Sequence, residues 1–317
     1  MSYVYGPVLS RRLGRSLGVD PVFLKTCNLN CVYCQLGRTP SRKGTNPVYP
    51  PLSDILWELG DALSSAQDLD YVTVSGSGEP TLYAGIGHLI RAIKAMTEVP
   101  VAVVTNGTLF SSQALREALY QADVVLPSLD AAENRAFNRI ARPPGGLDVE
   151  EVIAGLAVFR RHFIGQMWLE IMVVRGMNDT PEQLDCLKAA IEVIEPDRIQ
   201  LNTVVRPPAV EWAQAVSLDR LAEIASFFGP SCEVIAEHPE RIPKEQGGMT
   251  VEQIREAVKR RPMTLYDLAE SLGASPGDVA PYVARLMAAG VVQSRLHQGR
   301  LYYVVKGAND RMAGLKP

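Results

Sequence analysis

The chain has 317 residues, of which 47% are hydrophobic and 21% are charged, and its formal net charge is −3. These values are typical of a globular protein, and the length suits one large α/β domain with a small one, or two medium domains. No run of about 18 or more uncharged apolar residues occurs, so the sequence predicts no membrane span. The first residues lack the basic-then-apolar pattern of a secretory signal, so we expect a cytoplasmic protein.

Strand-like and helical segments alternate over about residues 19–235. The predicted strands are Val19–Leu24, Tyr71–Val74, Val101–Thr105, Val124–Ser128, Trp168–Val174 and Arg198–Val204, with Glu233–Ala236 as a candidate seventh. The predicted helices begin near Ser53, Leu82, Ser111, Asp148, Thr180 and Ser217. Six βα units predict a parallel sheet, because helical crossovers join parallel strands. Periodicity alone leaves open whether the sheet curls into a partial barrel or lies open and doubly wound.

The pattern changes after residue 237. Residues 238–249 are polar, with two prolines and a Gly-Gly pair, which indicates a linker. Residues 250–306 contain three helix-start signals, at Thr250, Thr264 and Ser275, and then two alternating runs that turn near Gln298. Three helices and a hairpin predict a small winged helix-turn-helix domain. Residues 307–317 are predicted to be a frayed tail, and residues 1–237 form the larger domain.

Positive charge is concentrated near the N-terminus. Residues 1–50 carry seven basic side chains and one acidic side chain, although the whole chain is acidic. Such a segment attracts anions, namely phosphate, carboxylate or nucleic acid, unless it is only a solvated basic arm. The candidate substrate contacts are three arginines of this segment and three polar residues at later predicted strand ends: Arg11, Arg12, Arg15, Arg175, Asn202 and Arg206.

Three of the five cysteines lie within eight residues, Cys27-Asn28-Leu29-Asn30-Cys31-Val32-Tyr33-Cys34. An odd, clustered count without an export signal favours a metal site over a disulfide framework. Iron–sulfur clusters usually take four thiolates, so three of them leave one iron open to another ligand. The alternatives are a zinc knuckle with a distant fourth ligand and a four-Cys electron-transfer cluster, but no second C-x-x-C pair follows. Cys186 and Cys232 are interpreted as inert buried thiols.

This cysteine pattern resembles the signature of the radical S-adenosylmethionine superfamily. The resemblance implies a partial (β/α)6 barrel, a 4Fe–4S cluster on Cys27, Cys31 and Cys34, and S-adenosylmethionine bound at the open iron. It further implies that the reduced cluster cleaves this cofactor to a 5′-deoxyadenosyl radical, which abstracts hydrogen from a substrate. An electron donor such as flavodoxin or ferredoxin is implied as a partner.

The resemblance continues at the ends of later strands. Ser75-Gly76-Ser77-Gly78-Glu79-Pro80 is similar to the family's G-G-E-P element, which contacts the amino group of the cofactor, with Ser77 in place of a glycine. Thr105-Asn106-Gly107 and Ser128-Leu129-Asp130 look like segments of molybdopterin-synthesis-type members, in which the strand-four serine meets the ribose. The implied cofactor-binding residues, with Tyr33 beside the adenine, are Tyr33, Gly76, Ser77, Gly78, Glu79, Asn106, Ser128, Asp130 and Glu170.

Alternation along the later strands predicts which side chains point into a barrel. In Trp168–Val174 the apolar residues at odd positions should face the helices, which leaves Glu170 and Met172 toward the lumen. The same argument turns Gln200 and Asn202 inward. A buried carboxylate or amide is costly without hydrogen bonds, so these residues are ligand-binding candidates, unless they form a satisfied structural network.

The opening residues 5–20 and the Cys-Gln-Leu-Gly continuation at 34–37 are similar to a little-characterised clade of iron–sulfur oxidoreductases related to wyosine-tRNA synthesis enzymes. Those tRNA-modifying relatives bind a second cluster through additional N-terminal cysteines, whereas this chain has no cysteine before Cys27. The clade therefore favours a macromolecular substrate without naming the reaction.

Three functions remain open from the sequence. The first is a radical enzyme that modifies RNA, which the basic N-terminal segment favours. The second is a radical enzyme that modifies a peptide or protein, or activates a glycyl radical, and uses the winged helix for docking. The third is an iron–sulfur transcriptional sensor. DNA is an improbable partner, because the third C-terminal helix offers Arg285 as its one cation, whereas groove-reading helices carry several polar side chains.

Overall fold

The larger part of the chain forms one curled sheet with helices packed on its outer face. The computed structural model describes residues 2–40, 48–143, 145, 147–236 and 250–306, so the predicted linker and tail lie outside the described residues. Within them the sheet has eight strands, which hydrogen-bond in sequence order. They are β1 (Val4–Ser10), β2 (Gly14–Val19), β3 (Tyr71–Val74), β4 (Val101–Thr105), β5 (Val124–Pro127), β6 (Gln166–Val173), β7 (Arg198–Thr203) and β8 (Cys232–Val234).

Helices connect the parallel strands. They are α1 (Leu52–Ser65), α2 (Ile86–Met96), α3 (Gln113–Leu119), α4 (Asn134–Ile140), α5 (Val149–His162), α6 (Pro181–Ile194) and α7 (Leu218–Phe228). The caps expected from the sequence are present at Asp148, Thr180 and Ser217, whose side chains accept hydrogen bonds from the first-turn amides. The second helix begins at Ile86 rather than near Leu82, because a short 3-10 turn over Pro80–Leu82 precedes it.

The predicted first strand, Val19–Leu24, is wrong. The strand that leads to the cysteines is β2, which ends at Val19, and β1 pairs with it in antiparallel register at the edge of the sheet. The chain leaves the sheet after Val19 because the Asp20 carboxylate accepts hydrogen bonds from the amides of Val22 and Ser77, at 3.4 and 2.9 Å. From β2 to β8 every neighbouring pair is parallel, as the βα alternation predicts.

The alternation predicted for the later strands is confirmed. Leu169 and Ile171 of β6 belong to the main core that the helices cover. Trp168, on the other face of β6, joins a separate cluster with inward-facing residues of β4 and β5 near their amino-terminal ends. Leu13, from the turn between β1 and β2, is 3% exposed and belongs to this inner cluster. The first hairpin therefore closes the amino-terminal end of the curled sheet with its own turn.

Residues 250–306, the C-terminal unit, form three helices and a hairpin where the sequence predicts them. They are α8 (Val251–Arg260), α9 (Leu265–Leu272), α10 (Pro276–Ala288), β9 (Val292–His297) and β10 (Arg300–Val305). Capping boxes at Thr250, Thr264 and Ser275 start the helices, and the unit has its own apolar core. None of the described helices of the protein has both the length and the apolar character needed to cross a membrane.

The C-terminal unit lies against the carboxyl ends of the strands. The His297 ring nitrogen Nε2 and the Gln298 amide lie 3.0 and 3.1 Å from the carbonyl oxygen of Val204, just after β7. The hydroxyl of Tyr302 donates to the carbonyl oxygen of Val205 at 2.9 Å. At the other contact, the Arg260 guanidinium lies 4.7 Å from the ring centroid of Tyr5, in β1.

Replacing Leu13 by Ala tests the closure of the amino-terminal end. We expect the free energy of unfolding to fall by about 2–5 kcal/mol, because the change leaves a void among buried side chains. Leu296→Ala is the control, because Leu296 is 71% exposed and its truncation should change stability by less than about 0.5 kcal/mol. Denaturant unfolding measures both, and equal effects of the two substitutions would contradict the proposed packing.

Candidate functional site

A cavity of about 720 Å³ lies between the carboxyl ends of the strands and the C-terminal unit. The residues that follow or end β2, β3, β4, β5 and β7 line it, together with the inner face of β6. Helices α8 and α9 form the opposite wall. Because the carboxyl ends of parallel strands meet at one edge of a sheet, residues far apart in the sequence are brought together here.

The cysteine loop, residues 27–34, lies at this cavity. Cys27 and Cys34 line it, and Cys31 is half-buried beside them. The loop is held from behind by backbone hydrogen bonds: the amide of Val32 donates to Ile140 at 2.9 Å, and the amide of Asn30 donates to Ala141 at 3.0 Å. The end of helix α4, which the sequence analysis did not predict, and its C-cap residue Ala141 thus supply the carbonyl groups that fix the loop.

Nitrogen donors lie beside two of the three thiols, those of Cys27 and Cys34. The Lys25 ammonium lies 3.2 Å from the Cys34 sulfur, and the Leu29 amide lies 3.4 Å from the Cys27 sulfur. Burial raises the pKa of Cys27 to about 11 and raises that of Cys31 as well, so both thiols are protonated unless a cation replaces their protons. Soft sulfur ligands with nearby donors suit an iron–sulfur cluster.

Among the described residues, no three His, Cys, Asp or Glu side chains are grouped closely enough to hold one metal ion. A cluster of several irons binds each thiolate to a different iron, so its ligands stand farther apart than those of a mononuclear site.

The glycine turn, residues 75–80, packs directly on the start of the cysteine loop. The Lys25 amide donates to the Ser77 carbonyl oxygen at 2.6 Å, and the Glu79 amide donates to the Thr26 carbonyl oxygen at 2.8 Å. A Cβ atom at Gly78 would lie 2.1 Å from that same Thr26 oxygen, which no side chain tolerates. Gly78 is thus required by the close approach of two backbones.

Glu79 joins the ends of β3 and β4. Its buried carboxylate accepts hydrogen bonds from the hydroxyl of Thr105 at 2.6 Å, from the amide of Asn106 at 2.7 Å and from both the amide and the hydroxyl of Thr81. Burial raises the pKa of Glu79, and these bonds oppose the rise. The Asn106 side chain in turn donates to the Asn28 amide oxygen at 2.8 Å, which ties β4 to the cysteine loop.

Tyr33 is oriented by a buried acid. Its hydroxyl donates to the Asp130 carboxylate, which also accepts from the Met172 amide at 2.9 Å. Burial raises the pKa of Asp130 to about 7, although both hydrogen bonds lower it. Ser128, two residues before Asp130, lines the cavity and bridges to Glu170 of the neighbouring strand. Asp130 itself lies behind the cavity wall.

Glu170 points inward, as predicted, and pairs with Arg12 of the first hairpin turn. The Glu170 carboxylate also accepts a hydrogen bond from the side-chain amide of Asn202 at 3.1 Å. The Arg11 guanidinium donates to the Asn202 side-chain oxygen at 3.4 Å and to the Ala236 carbonyl oxygen at 3.2 Å. The two arginines therefore cross the lumen from the first hairpin to β6 and β7. The basic segment is part of the cavity wall and not a free arm at these two positions.

Most predicted site residues line the cavity, and some do not. Ser77, within the glycine turn, is buried and absent from the lining, and its amide donates to the Asp20 carboxylate at 2.9 Å. Arg15 and Arg175 lie outside the lining: the amide of Arg15 bonds Asp70 at the start of β2, and Arg175 is exposed after β6. Arg206 lines the cavity as predicted.

Sequence reasoning missed several residues of the site. Lys25 stands two residues before the first cysteine, a position that could have suggested a role. Asp20 accepts hydrogen bonds from the Val22 amide, before the cysteine loop, and from the Ser77 amide of the glycine turn, but in the sequence it stands out only as the single acidic residue of the basic segment. Arg260 and Arg261 line the cavity from the end of α8, and no sequence pattern signals that they face the sheet.

Comparison with known proteins gives the family. The model of the radical SAM superfamily matches residues 22–185. A UPF0026 protein of Synechocystis sp. is 38% identical over 209 residues, which cover 66% of this chain and 77% of that protein. A Brachyspira hyodysenteriae protein described as GTPase Obg is 37% identical over 305 residues, 95% of this chain, but this chain spans 45% of its length.

Solved structures give the fold. A structure of TYW1 with a lysine-pyruvate adduct bound superposes with a TM-score of 0.51 at 19% identity, and the match covers 68% of this chain and 72% of the other. At this identity the likeness concerns the fold alone, and it confirms the partial barrel over an open doubly wound sheet. The family match over residues 22–185 shows that the chain is an enzyme of the radical S-adenosylmethionine superfamily, whose members use a 4Fe–4S cluster and S-adenosylmethionine and need an electron donor.

Proposed function

We propose that Cys27, Cys31 and Cys34 bind three irons of a 4Fe–4S cluster, and that S-adenosylmethionine binds beside them in the cavity. When bound, the reduced cluster supplies the electron that cleaves S-adenosylmethionine to a 5′-deoxyadenosyl radical, which abstracts hydrogen from the substrate. The observation that carries this proposal is that two of these thiols and the glycine turn line one cavity. The nearby donors Lys25 and Asn106 would stabilise the thiolate charge.

The chain's own residues would position the cofactor. Gly76 and Gly78 carry no side chain, so backbone groups of the glycine turn are accessible to a ligand. Ser128 offers a hydroxyl to the ribose, and Tyr33 offers a ring that its bond to Asp130 holds in one orientation. The electron donor would be a flavodoxin or ferredoxin, and the reaction would take place in the cytoplasm, where thiols stay reduced.

The substrate we propose is a macromolecule, with RNA favoured over peptide. Arg11, Arg12 and Arg206 line the same cavity as the cysteines, and guanidinium groups bind phosphate through paired hydrogen bonds. The resemblance of residues 5–20 to relatives of tRNA-modifying enzymes points the same way. The alternative substrate is a peptide or protein, including a glycyl-radical enzyme. An iron–sulfur sensor is the alternative of another class, and it would show no cleavage of S-adenosylmethionine.

Cys31→Ala tests the cluster assignment. Anaerobically reconstituted protein with dithionite and S-adenosylmethionine should release 5′-deoxyadenosine, and the variant should lose this release together with most of its bound iron. Cys186→Ala is the matched control, since Cys186 lies in α6 away from the cavity and should change neither quantity. Chromatography of the nucleoside and iron analysis measure the two effects. Retained turnover in Cys31→Ala would refute the assignment.

The same assay separates the substrate classes. Added RNA should raise 5′-deoxyadenosine release above the rate without substrate, because a bound substrate consumes the radical productively. Stimulation by a peptide digest and not by RNA would replace the RNA proposal with the peptide alternative. Failure of both, with cofactor cleavage absent, would support a sensor.

Gly78→Ala tests the role of the glycine turn. The added methyl group meets the Thr26 carbonyl oxygen, so the turn must move away from the cysteine loop. We expect S-adenosylmethionine to bind about tenfold more weakly, consistent with the usual strain of overpacking. Gly277→Ala is the control, because Gly277, like Gly78, has no positive φ, and a Cβ atom added there would meet only the Ser275 hydroxyl oxygen, at an ordinary contact distance of 3.5 Å. Equilibrium dialysis measures the affinity of each variant for S-adenosylmethionine. An affinity of Gly78→Ala equal to that of the control would show that the turn is not part of the cofactor site.

A further inference from the structure

Arginines from three distant parts of the chain meet in the cavity. Arg11 follows β1, Arg206 follows β7, and Arg261 follows α8 of the C-terminal unit, and all three line the same space. They are close enough to repel one another. The pKa of Arg206 is lowered to about 9, first by burial and then by the charges of Arg261 and Arg11.

Arg11 shows the same repulsion. Its pKa is lowered to about 10, first by burial and then by the adjacent charge of Arg12, with Arg261 adding to the effect. Its own hydrogen bonds go to neutral oxygens, those of the Asn202 side chain and the Ala236 carbonyl group. The four guanidinium groups Arg11, Arg12, Arg206 and Arg261 thus form one electrostatic cluster.

Carboxylates near this cluster only partly neutralise it. Glu170 pairs with Arg12, and Asp267 of α9 faces Arg206 and Arg261, whose charges lower its pKa against the effect of burial. Asp267 also accepts two hydrogen bonds from Thr264 in its capping box.

The other acids that line the cavity are engaged elsewhere. Glu79 bonds the ends of β3 and β4, and Glu252 and Glu256 pair with Arg255 along α8. Glu170 and Asp267 are thus the two acids that are seen to act on the four arginines of the cluster. Positive charge that is withdrawn from water is costly unless a counter-charge accompanies it.

We propose that Arg11, Arg206 and Arg261 form a subsite for a phosphate group of the substrate, with one guanidinium supplied by the C-terminal unit. A phosphate monoester carries close to two negative charges at neutral pH and three acceptor oxygens, which match an excess of about two positive charges. A carboxylate carries a single charge and leaves the excess uncompensated.

The placement assigns the C-terminal unit a role in the substrate site. Its α8 and α9 form one wall of the cavity, and its Arg261 adds a positive charge to the arginines that the barrel contributes. Anchoring of the substrate phosphate at both units would hold the rest of the molecule in the space beside the cysteine loop. This inference deepens the proposed function, on which it rests, by naming the group that the enzyme recognises.

Phosphate binding by the whole 317-residue chain, without cluster or cofactor, tests the subsite. Inorganic pyrophosphate is titrated calorimetrically into the wild type, Arg261→Gln and Arg11→Gln. Each substitution should weaken binding about tenfold or more, because each removes charge-assisted hydrogen bonds. Arg255→Gln is the control, since Arg255 lies on the same α8, pairs with Glu252 at 2.6 Å and is absent from the lining.

Two results would overturn the proposal. One is binding by Arg261→Gln or Arg11→Gln within twofold of the wild type, with the circular dichroism of the fold unchanged. The other is an equal loss in Arg255→Gln, which would show a general charge effect. Should a glutamine variant fail to fold, Arg261→Lys serves instead: it keeps the charge, loses the paired geometry, and should bind several-fold more weakly than the wild type.

Competition separates the sources of the phosphate. Adenosine monophosphate should displace pyrophosphate and adenosine should not, since only the first carries the recognised group. A short single-stranded RNA that carries a 5′-phosphate, which is a monoester, should compete as well, and Arg261→Gln should reduce the salt dependence of its binding by about one ion. Competition by the mononucleotide without competition by RNA would reject the RNA substrate and leave the phosphate subsite standing. Competition by neither nucleotide would reject the subsite as a substrate site.

Discussion

Two backbone hydrogen bonds, from the Lys25 amide to the Ser77 carbonyl oxygen and from the Glu79 amide to the Thr26 carbonyl oxygen, fix the cysteine loop against the glycine turn. They join the segment after β2 to the segment after β3, so the geometry of the sheet is transmitted to the thiols. The absence of a side chain at Gly78 permits the contact, and Asp20 holds both segments at their bases. Everything that the cavity offers to a cluster and a cofactor depends on this junction, because it sets the distance between the metal ligands and the strand ends.

A second set of polar contacts spans the lumen below the junction. The turn of the first hairpin places Leu13 in the inner apolar cluster and directs Arg12 to Glu170. A buried ion pair of this kind contributes little net stability, but it constrains where the strands can stand. The hairpin therefore has two roles. Its turn closes the amino-terminal end of the barrel, and its arginines bring positive charge into the cavity, to which the C-terminal unit adds Arg261.

The sequence predicted what periodicity and local chemistry determine. Parallel strands, inward Glu170 and Asn202, the helix caps and the three-cysteine loop all follow from patterns within about ten residues. It did not predict β1, whose alternation is broken by Pro7 and by a bulge between Tyr5 and Val8. Nor could it predict that Arg261 meets Arg11, since 250 positions separate them and only the docking of the C-terminal unit brings them together. Arg15 and Arg175 share the residue type of the site but lie outside the cavity lining.

The most direct test of the central claim is the metal content of protein purified without oxygen. An enzyme that holds its cluster on Cys27, Cys31 and Cys34 should contain about four iron atoms and about four acid-labile sulfides per chain. Its reduced form should give an electron paramagnetic resonance signal that changes when S-adenosylmethionine is added. About one zinc ion per chain with no iron would contradict the account.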